Sequence, residues 1–471
     1  MISQRLAVHQ YKNAQRIFHC SIIYVVVVGG AASLFAFFGA DFLIPGRAAM
    51  VLRTLAPTIF FSGLLGVLRG YFQANKSMVQ TSVSQILEQI LNAAVSMLAA
   101  WALMQVFVKE DELTRSAWGA VGSAVGTGIG VLAALAFMLM IYQMNRGVIR
   151  RRLERDRSTH LLSTKEIFKI ILFMVTPVLL STFAYNASAL INQTLYLNLM
   201  QSVHGASYEE ITVINGIYDT EAVGLSNIPI AIASAMASAI LPSIAGSFET
   251  KNKKDVNKKI GVAIKTIPSA VGMTVLARPI VWVLYNTNAD SITLGGRLLA
   301  ALGVSIVCYS LSTLSNSILQ AVGQASRPVT NAVIALAVQT AVAGLLLGFT
   351  DLGIYSLPIA VTIYSLLMCV LNGYHVRKAT GYRQEVVRTF LLPAWAALIM
   401  GVAAAGIYYG LAFLLPEGYF GNLVSLVAAV AAGALVYFAA ALKLGAMTKK
   451  ELLGIPKGAL VVRAAEKLHL L

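Results

Sequence analysis

Charged residues are scarce in this chain, which holds only 12% Asp, Glu, Lys and Arg among its 471 residues. A soluble domain carries about 25% charged and about 45–50% apolar residues, whereas 58% of this chain is hydrophobic. So little charge cannot cover a water-soluble surface of this size. The composition therefore excludes a soluble enzyme and indicates a polytopic membrane protein.

Cysteine and histidine are also rare. Cys20, Cys308 and Cys369 lie far apart within apolar runs, with no Cys-x-x-Cys pair and no histidine cluster. The sequence therefore predicts neither a disulfide framework nor a metal site.

One glycine-rich pattern superficially resembles a phosphate-binding loop. Gly122, Gly126 and Gly130 form a GxxxGxxxG pattern inside an apolar run, without a following Lys-Ser/Thr. Such a stripe is typical of close helix packing. No cofactor is predicted, and an ion gradient or the membrane potential is expected to supply energy.

Long apolar runs dominate the chain. A membrane helix needs roughly 20 apolar residues, and twelve runs of this kind are separated by short polar loops. They predict an all-α fold with about twelve spans, at residues 18–40, 49–68, 79–107, 117–144, 167–195, 211–244, 262–286, 296–321, 328–349, 353–375, 387–412 and 420–443.

The basic residues predict the orientation of these spans. With the N-terminus inside, 30 of the 36 Lys and Arg residues fall on inner segments, as the positive-inside rule requires. Both termini are thus expected in the cytoplasm. The net charge of +16 follows from this topology and from contact with anionic lipid; nucleic-acid binding is not expected.

A weak internal repeat relates the second run to the eighth at an offset of 247 residues. The matching positions are Leu55 with Leu302, Ile59 with Ile306, Leu64 with Leu311, and Gln73-Ala74 with Gln320-Ala321. A parallel six-span repeat predicts two lobes with substrate bound between them. In that arrangement, the first lobe is expected to lack its first two spans.

The expected organisation has five segments. They are an N-terminal lobe of four spans (1–144), a basic cytoplasmic loop (145–166), a C-terminal lobe of six spans (167–378), a closing helix pair (379–445) and a cytoplasmic tail (446–471).

Three stretches carry a family resemblance: LLGVLRGYFQANKSMVQTSVSQILEQILNAAVSM (64–97), SNIPIAIASAMASAILPSIAGSF (226–248) and ILQAVGQASRPVTNAVIAL (318–336). The chain resembles the MurJ/SpoVB-type lipid-linked oligosaccharide flippases from about Ile2 to Lys443. Members of that family have fourteen helices, so the resemblance also implies that this chain begins after the second helix.

The resemblance implies a function in the bacterial plasma membrane. The protein is expected to flip a polyprenyl-pyrophosphate-linked sugar, with lipid II foremost, from the inner to the outer leaflet by alternating access. Its partners would be that lipid-linked oligosaccharide and the bilayer. Asn92 stands where the family usually has arginine, and the basic residues of the family's first two helices have no counterpart here.

Polar residues inside the spans mark the expected substrate path, because such groups are costly in hydrocarbon. In the third span, Thr81, Gln85, Glu88, Asn92 and Ser96 share one helical face. Glu88 either faces a cavity or forms a hydrogen bond to a neighbouring helix.

Similar polar faces occur in two other spans. They are Ser181, Tyr185, Ser188 and Asn192 in the fifth span, and Ser305, Tyr309, Ser312 and Asn316 in the eighth. The alternative for both faces is helix packing.

Cationic side chains near the spans are candidate phosphate ligands. These are Arg53, Arg69, Arg278 and Arg297, with Lys76 beside the turn after the second span. The alternative is that they snorkel to the interface.

Three other functions remain open. The fold is also compatible with a flippase for another surface polysaccharide or with a multidrug exporter, although the latter should have an apolar or aromatic pocket. A membrane-embedded glycosyl- or acyltransferase would need an acidic pair or a His-Asp motif at a span end, and the cluster Glu110-Asp111-Glu112 is better explained as a solvated loop.

Overall fold

The computed structural model describes residues 2–44, 46–75, 77–156, 161–249, 269–381, 391–416 and 418–446. The first half forms α1 (Ile2–Ala7), α2 (Tyr11–Phe38), α3 (Ala40–Leu43), α4 (Ala48–Ala74), α5 (Met78–Val106), α6 (Glu112–Met144), α7 (Arg146–Glu154) and α8 (Thr164–Ser202).

The second half continues with α9 (Tyr208–Ile217), a π-helical turn (Tyr218–Val223), α10 (Gly224–Glu249), α11 (Ser269–Val275), α12 (Ala277–Tyr285), α13 (Ala289–Ala301), α14 (Gly303–Ala321), α15 (Ser326–Phe349), α16 (Ser356–Thr380), α17 (Leu392–Leu414) and α18 (Tyr419–Lys443). The described residues contain helices, turns and bends but no strand, which confirms the all-α prediction.

Every predicted apolar run overlaps at least one of these helices. By length and composition, eight of the described helices can cross a membrane, and α13 with α14 makes a ninth if that bent pair is one span. Several predictions lie outside the described residues, wholly or in part: Lys76, residues 157–160 of the basic loop, the inner segment 251–265 between the sixth and seventh runs, the start of the seventh run, residues 382–390 of the closing pair, and the tail beyond residue 446.

The chain divides into two compact units, Met1–Met174 and Val175–Leu471. The division falls within α8, since this helix runs without a break from Thr164 to Ser202.

The core of the first unit is built from α2, α4 and α6. Phe18 packs against Tyr71 with ring centroids 4.5 Å apart, and Tyr142 lies 5.4 Å from Phe18. A hydrogen-bonded group of Gln15, Tyr71 and Tyr142 lies beside these rings. Gln15 Nε2 donates to Tyr142 Oη at 2.8 Å, and Tyr71 Oη donates to Gln15 Oε1 at 3.2 Å. Buried amide and hydroxyl groups therefore satisfy one another across three helices.

The glycine stripe fixes the approach of α6 to α5. A Cβ atom added to Gly122 would lie 2.5 Å from the backbone nitrogen of Ala100, and one added to Gly130 would lie 2.7 Å from the carbonyl oxygen of Glu88. Neither separation leaves room for a side chain. The packing role predicted for the stripe is confirmed.

The acidic loop before α6 serves as a helix cap. The carboxylate of Asp111 accepts hydrogen bonds from the hydroxyl and the backbone N–H of Thr114. These bonds, together with the nearby Arg47 guanidinium, hold the pKa of the Asp111 carboxyl below its usual range. An aspartate at this position stabilises the start of the helix.

The second unit has its main core around α9, α12, α13 and the end of α15. Fully buried members include Leu298, Leu299, Leu347 and Leu357. The closing pair α17–α18 packs against α12 through Tyr408 and Leu426, which cluster with Val283. The Tyr408 hydroxyl donates to Asn422 Oδ1 at 2.5 Å and joins the two closing helices.

Two irregularities interrupt spans that the sequence predicts as continuous. The eighth run bends by 48° between α13 and α14. The sixth run contains the π-helical turn, where the hydroxyl of Tyr285 donates to the carbonyl of Thr220 at 2.7 Å. π-Helical turns are rare and occur often at functional sites.

Candidate functional site

The polar face of α5 is turned toward its neighbours in the first unit. Thr81 is buried, Glu88, Asn92 and Ser96 are half-buried, and Gln85 is exposed. Ser84, which the predicted stripe omitted, is completely buried beside it. The stripe is therefore used mainly for contacts between helices, with Gln85 as the exposed member.

Arg69 of α4 and Glu88 of α5 form an ion pair. Arg69 Nη2 lies 2.6 Å from Glu88 Oε2, and the two side chains are 16% and 19% exposed. Arg69 Nε also donates to Ser84 Oγ at 2.8 Å, and Ser84 donates to the Thr81 carbonyl. The cation and the carboxylate, which are each costly in a membrane span, thus compensate each other.

Asn92 lies where the glycine stripe brings α6 close. Its Oδ1 atom accepts hydrogen bonds from Ser96 Oγ at 2.9 Å and Thr127 Oγ1 at 3.2 Å. Thr127 was missed by sequence reasoning, because it lies beside the glycine stripe of α6 and not on it, and its contact with Asn92 depends on how the two helices pack. The position where the resembled family has arginine is thus occupied by an amide that joins two helices.

In the second unit, the polar face of α8 meets α15. Ser188 Oγ donates to Gln339 Oε1 at 2.9 Å, and Gln339 Nε2 donates to Asn192 Oδ1 at 2.9 Å. All three residues are buried. The side chains of Ser181 and Tyr185, the other predicted members of this face, lie outside what the structure describes.

A small cavity of about 180 Å³ opens beside this bonded triplet. Its walls include Ser188, Asn192, Ser305 and Tyr309 from the predicted faces, and Asp219 from the π-helical turn. Asp219 Oδ2 accepts a hydrogen bond from Asn215 Nδ2 at 2.9 Å. Asp219 is the carboxylate that the sequence analysis missed, because the turn that presents it is not evident from periodicity.

A larger cavity of about 500 Å³ lies next to the small one. Asn227, Ile230 and Tyr309 line both, so the two are neighbours along one wall. The predicted residues Ser312 and Asn316 line the larger cavity. Its described lining residues carry amide, hydroxyl and apolar groups and no charged side chain.

A buried network holds Asn316 in place. Asn372 Nδ2 donates to Asn316 Oδ1 at 2.8 Å and to Ser312 Oγ at 3.2 Å. Asn372 Oδ1 in turn accepts from Asn331 Nδ2 at 2.8 Å. Asn372 and Asn331 are almost fully buried, so the orientation of the Asn316 amide is fixed from behind.

The remaining predicted cations lie elsewhere. Arg53 pairs with Asp41, and both side chains are well exposed. Arg278 and Arg297 are exposed on α12 and α13. None of these arginines is among the described residues that line the two cavities. The structure thus brings Arg69 together with Glu88, and Tyr309 with Asn316.

Comparison with known proteins gives a consistent result. The family model described as "Lipid II flippase MurJ" matches residues 14–429. The lipid II flippase MurJ of Bacillus subtilis (strain 168) is 24% identical over 412 residues, which cover 85% of this chain and 73% of that protein. Stage V sporulation protein B of the same organism is 21% identical over 423 residues, covering 88% of this chain and 77% of that protein.

Solved structures share the fold. A MATE protein crystallised in complex with MaL6 aligns with a TM-score of 0.64 and 17% identity, over 81% of this chain and 82% of that one. An inward-facing multidrug resistance MATE family transporter of the MOP superfamily aligns with a TM-score of 0.60 and 17% identity, over 81% and 84% of the two chains.

Proposed function

This chain belongs to the lipid II flippase MurJ family, and on that premise we propose that it moves a polyprenyl-pyrophosphate-linked sugar across the bacterial plasma membrane. The direction is from the inner to the outer leaflet, and lipid II is the expected cargo. Transport proceeds by alternating access, with both termini in the cytoplasm.

One observation carries the proposal beyond family membership: amide and hydroxyl side chains line cavities among the spans of the second unit. A drug exporter needs an apolar or aromatic pocket, since most small-molecule sites are largely apolar. A sugar headgroup needs many hydrogen-bonding partners instead. The described cavities combine apolar and aromatic side chains with amide and hydroxyl groups from Asn227, Asn316 and Gln320 among others, and these polar groups support a lipid-linked sugar over a lipophilic drug.

Arg69 is the candidate ligand for phosphate in the first unit. A guanidinium binds phosphate oxygens through paired hydrogen bonds. In the structure Glu88 occupies one side of this guanidinium, and a phosphate group would compete with the carboxylate for it. We therefore assign the pair a double role, in which Glu88 stabilises Arg69 between transport events and releases it to the cargo.

The membrane potential is the proposed source of energy. The cytoplasmic side of a bacterial membrane is negative, so the outward movement of an anionic pyrophosphate is favourable. The gain is about 2.3 kcal/mol per charge for each 100 mV. No bound cofactor is needed for this mechanism.

Complementation tests the proposal directly. The full chain is expressed in a bacterium from which its own lipid II flippase is depleted, beside the Arg69→Gln/Glu88→Gln variant, which we expect to be inactive. Growth with the unmodified chain alone is the expected result. Failure to grow at a normal membrane level of the protein contradicts the assignment of lipid II as cargo.

Two further strains separate the alternatives. Rescue confined to a mutant that lacks the flippase of another surface polysaccharide would move the assignment to that cargo. Increased resistance to lipophilic cations without any rescue would favour a multidrug exporter.

A further inference from the structure

The larger cavity of the second unit combines features that suit one kind of ligand. Asn227, Asn316 and Gln320 place carboxamide groups on its wall, and Thr313 and Ser317 add hydroxyl groups to the same lining. A carboxamide both donates and accepts hydrogen bonds, as a sugar hydroxyl or an acetamido group does. The wall is therefore chemically complementary to a carbohydrate.

All three amides carry hydrogen-bonding groups that have no partner among the described residues. Asn316 accepts from Asn372 through Oδ1, which leaves its NH₂ group without a partner among the described residues. Asn227 and Gln320 are exposed to the cavity, and their side chains have no hydrogen-bond partner in the described part of the chain. Filling the cavity with a polar ligand would satisfy all three.

An aromatic wall completes the site. Tyr309 is half-buried and lines the cavity, and the almost fully buried Tyr364 packs against it with ring centroids 5.7 Å apart, so Tyr309 offers the available ring. The C–H face of a pyranose ring is apolar and packs on an aromatic ring, while the tyrosine hydroxyl stays polar. The volume of about 500 Å³ lies within the range of roughly 300–1,000 Å³ that small-molecule sites occupy.

Charge decides which part of the proposed cargo fits. A pyrophosphate is bound by arginine, lysine or a metal ion, and no cationic side chain is among the described residues that line this cavity. The neighbouring cavity contributes the carboxylate of Asp219, which would repel phosphate. Both features disfavour the pyrophosphate and favour an uncharged sugar ring.

We infer that the cavity lined by Asn227, Tyr309, Asn316 and Gln320 is a binding site for the uncharged pyranose portion of the cargo, such as an N-acetylhexosamine. This inference rests on the proposed function and adds that the sugar and the pyrophosphate of the cargo are bound at different places. The second unit recognises sugar, and the pyrophosphate is bound outside this cavity.

The test compares two lipids on purified full-length protein: a polyprenyl pyrophosphate without sugar, and the same lipid bearing one N-acetylhexosamine. Binding is titrated for the unmodified chain and for the Asn227→Leu/Gln320→Leu variant, which replaces two amides by apolar side chains. Asn198→Leu is the matched control, because Asn198 is an exposed amide of α8 outside the described walls of both cavities. Thermal melting verifies that all variants fold.

The unmodified chain should bind the sugar-bearing lipid about tenfold more tightly, as expected when two or so net hydrogen bonds are gained. The double variant should lose this gain and bind the sugarless lipid as before, whereas Asn198→Leu should keep it. Equal binding of both lipids by the unmodified chain, or a gain that survives in the double variant, overturns the sugar site and leaves the proposed function standing. Binding of neither lipid contradicts the proposed function itself.

Discussion

Arg69 Nη2 of α4 lies 2.6 Å from Glu88 Oε2 of α5, and Arg69 Nε donates to Ser84 Oγ at 2.8 Å. This ion pair joins two membrane-spanning helices of the first unit. Each charged group would be energetically costly in a span without the other. It also holds the Arg69 guanidinium against the polar face of α5.

The single variants Arg69→Gln and Glu88→Gln should each destabilise the protein, because each leaves one charge uncompensated in a span. The expected loss is about 1.5–3 kcal/mol, the range for hydrogen bonds to charged groups. The double variant should lose less than the sum of the two, since it contains no unpaired charge. Melting temperatures in detergent measure this coupling.

Transport separates the two roles proposed for the pair. The double variant should insert normally and fail to flip the cargo, because the phosphate ligand is gone. A double variant that transports at the unmodified rate would leave the pair with a packing role alone.

Gly126→Ala should destabilise the first unit. A Cβ atom there would collide with the backbone and hydroxyl of Ser96, and forced overpacking costs about 1–3 kcal/mol. Gly344→Ala is the matched control, since no described atom lies within 4 Å of its added Cβ and alanine is the better helix former. Equal melting temperatures for the two variants would refute the close contact of α5 with α6.

Gln339→Leu should destabilise the second unit and alter the small cavity. It removes the group that accepts from Ser188 and donates to Asn192, and an unsatisfied buried polar group costs about 1–3 kcal/mol. Differential scanning fluorimetry of Gln339→Leu beside Asn198→Leu measures the difference. An unchanged melting temperature for Gln339→Leu would show that the triplet contributes nothing to stability.

Orientation is tested with two matched valines. Val148 of α7 and Val203 after α8 are 50% and 53% exposed. In a background without Cys20, Cys308 and Cys369, a cysteine at Val203 should react with an impermeant thiol reagent on intact cells, and one at Val148 should not. Labelling of both from the same side would contradict the twelve-span topology.

The sequence predicted the helices well because apolar length is a local property of the chain. The run 79–107 became α5 (Met78–Val106), and 420–443 became α18 (Tyr419–Lys443). The bend after Ala301 and the π-helical turn at Tyr218 were missed. Both depend on how a span packs, and neither changes the apolar character of the segment.

The candidate site was only partly predictable for a related reason. The polar stripe on α5 was found by periodicity. Which of its residues are buried against α4 depends on how each helix is rotated about its own axis, and periodicity does not give that rotation. Ser84 is therefore buried against Arg69, while Gln85 is exposed. Gln339 and Asn372 were missed likewise, because each is an isolated amide in an apolar run whose partners lie on another helix.

The central claim is that this chain moves a lipid-linked sugar across a membrane, and flipping in reconstituted vesicles tests it most directly. Lipid II is placed in both leaflets of vesicles that contain the purified chain, and the outer-leaflet fraction is followed with an impermeant enzyme that modifies the exposed sugar. We predict that all of the lipid becomes accessible with the unmodified chain, faster when the imposed potential favours anion movement toward the enzyme, and that only the outer-leaflet fraction reacts with the Arg69→Gln/Glu88→Gln variant. Accessibility no greater than in protein-free vesicles would contradict the claim.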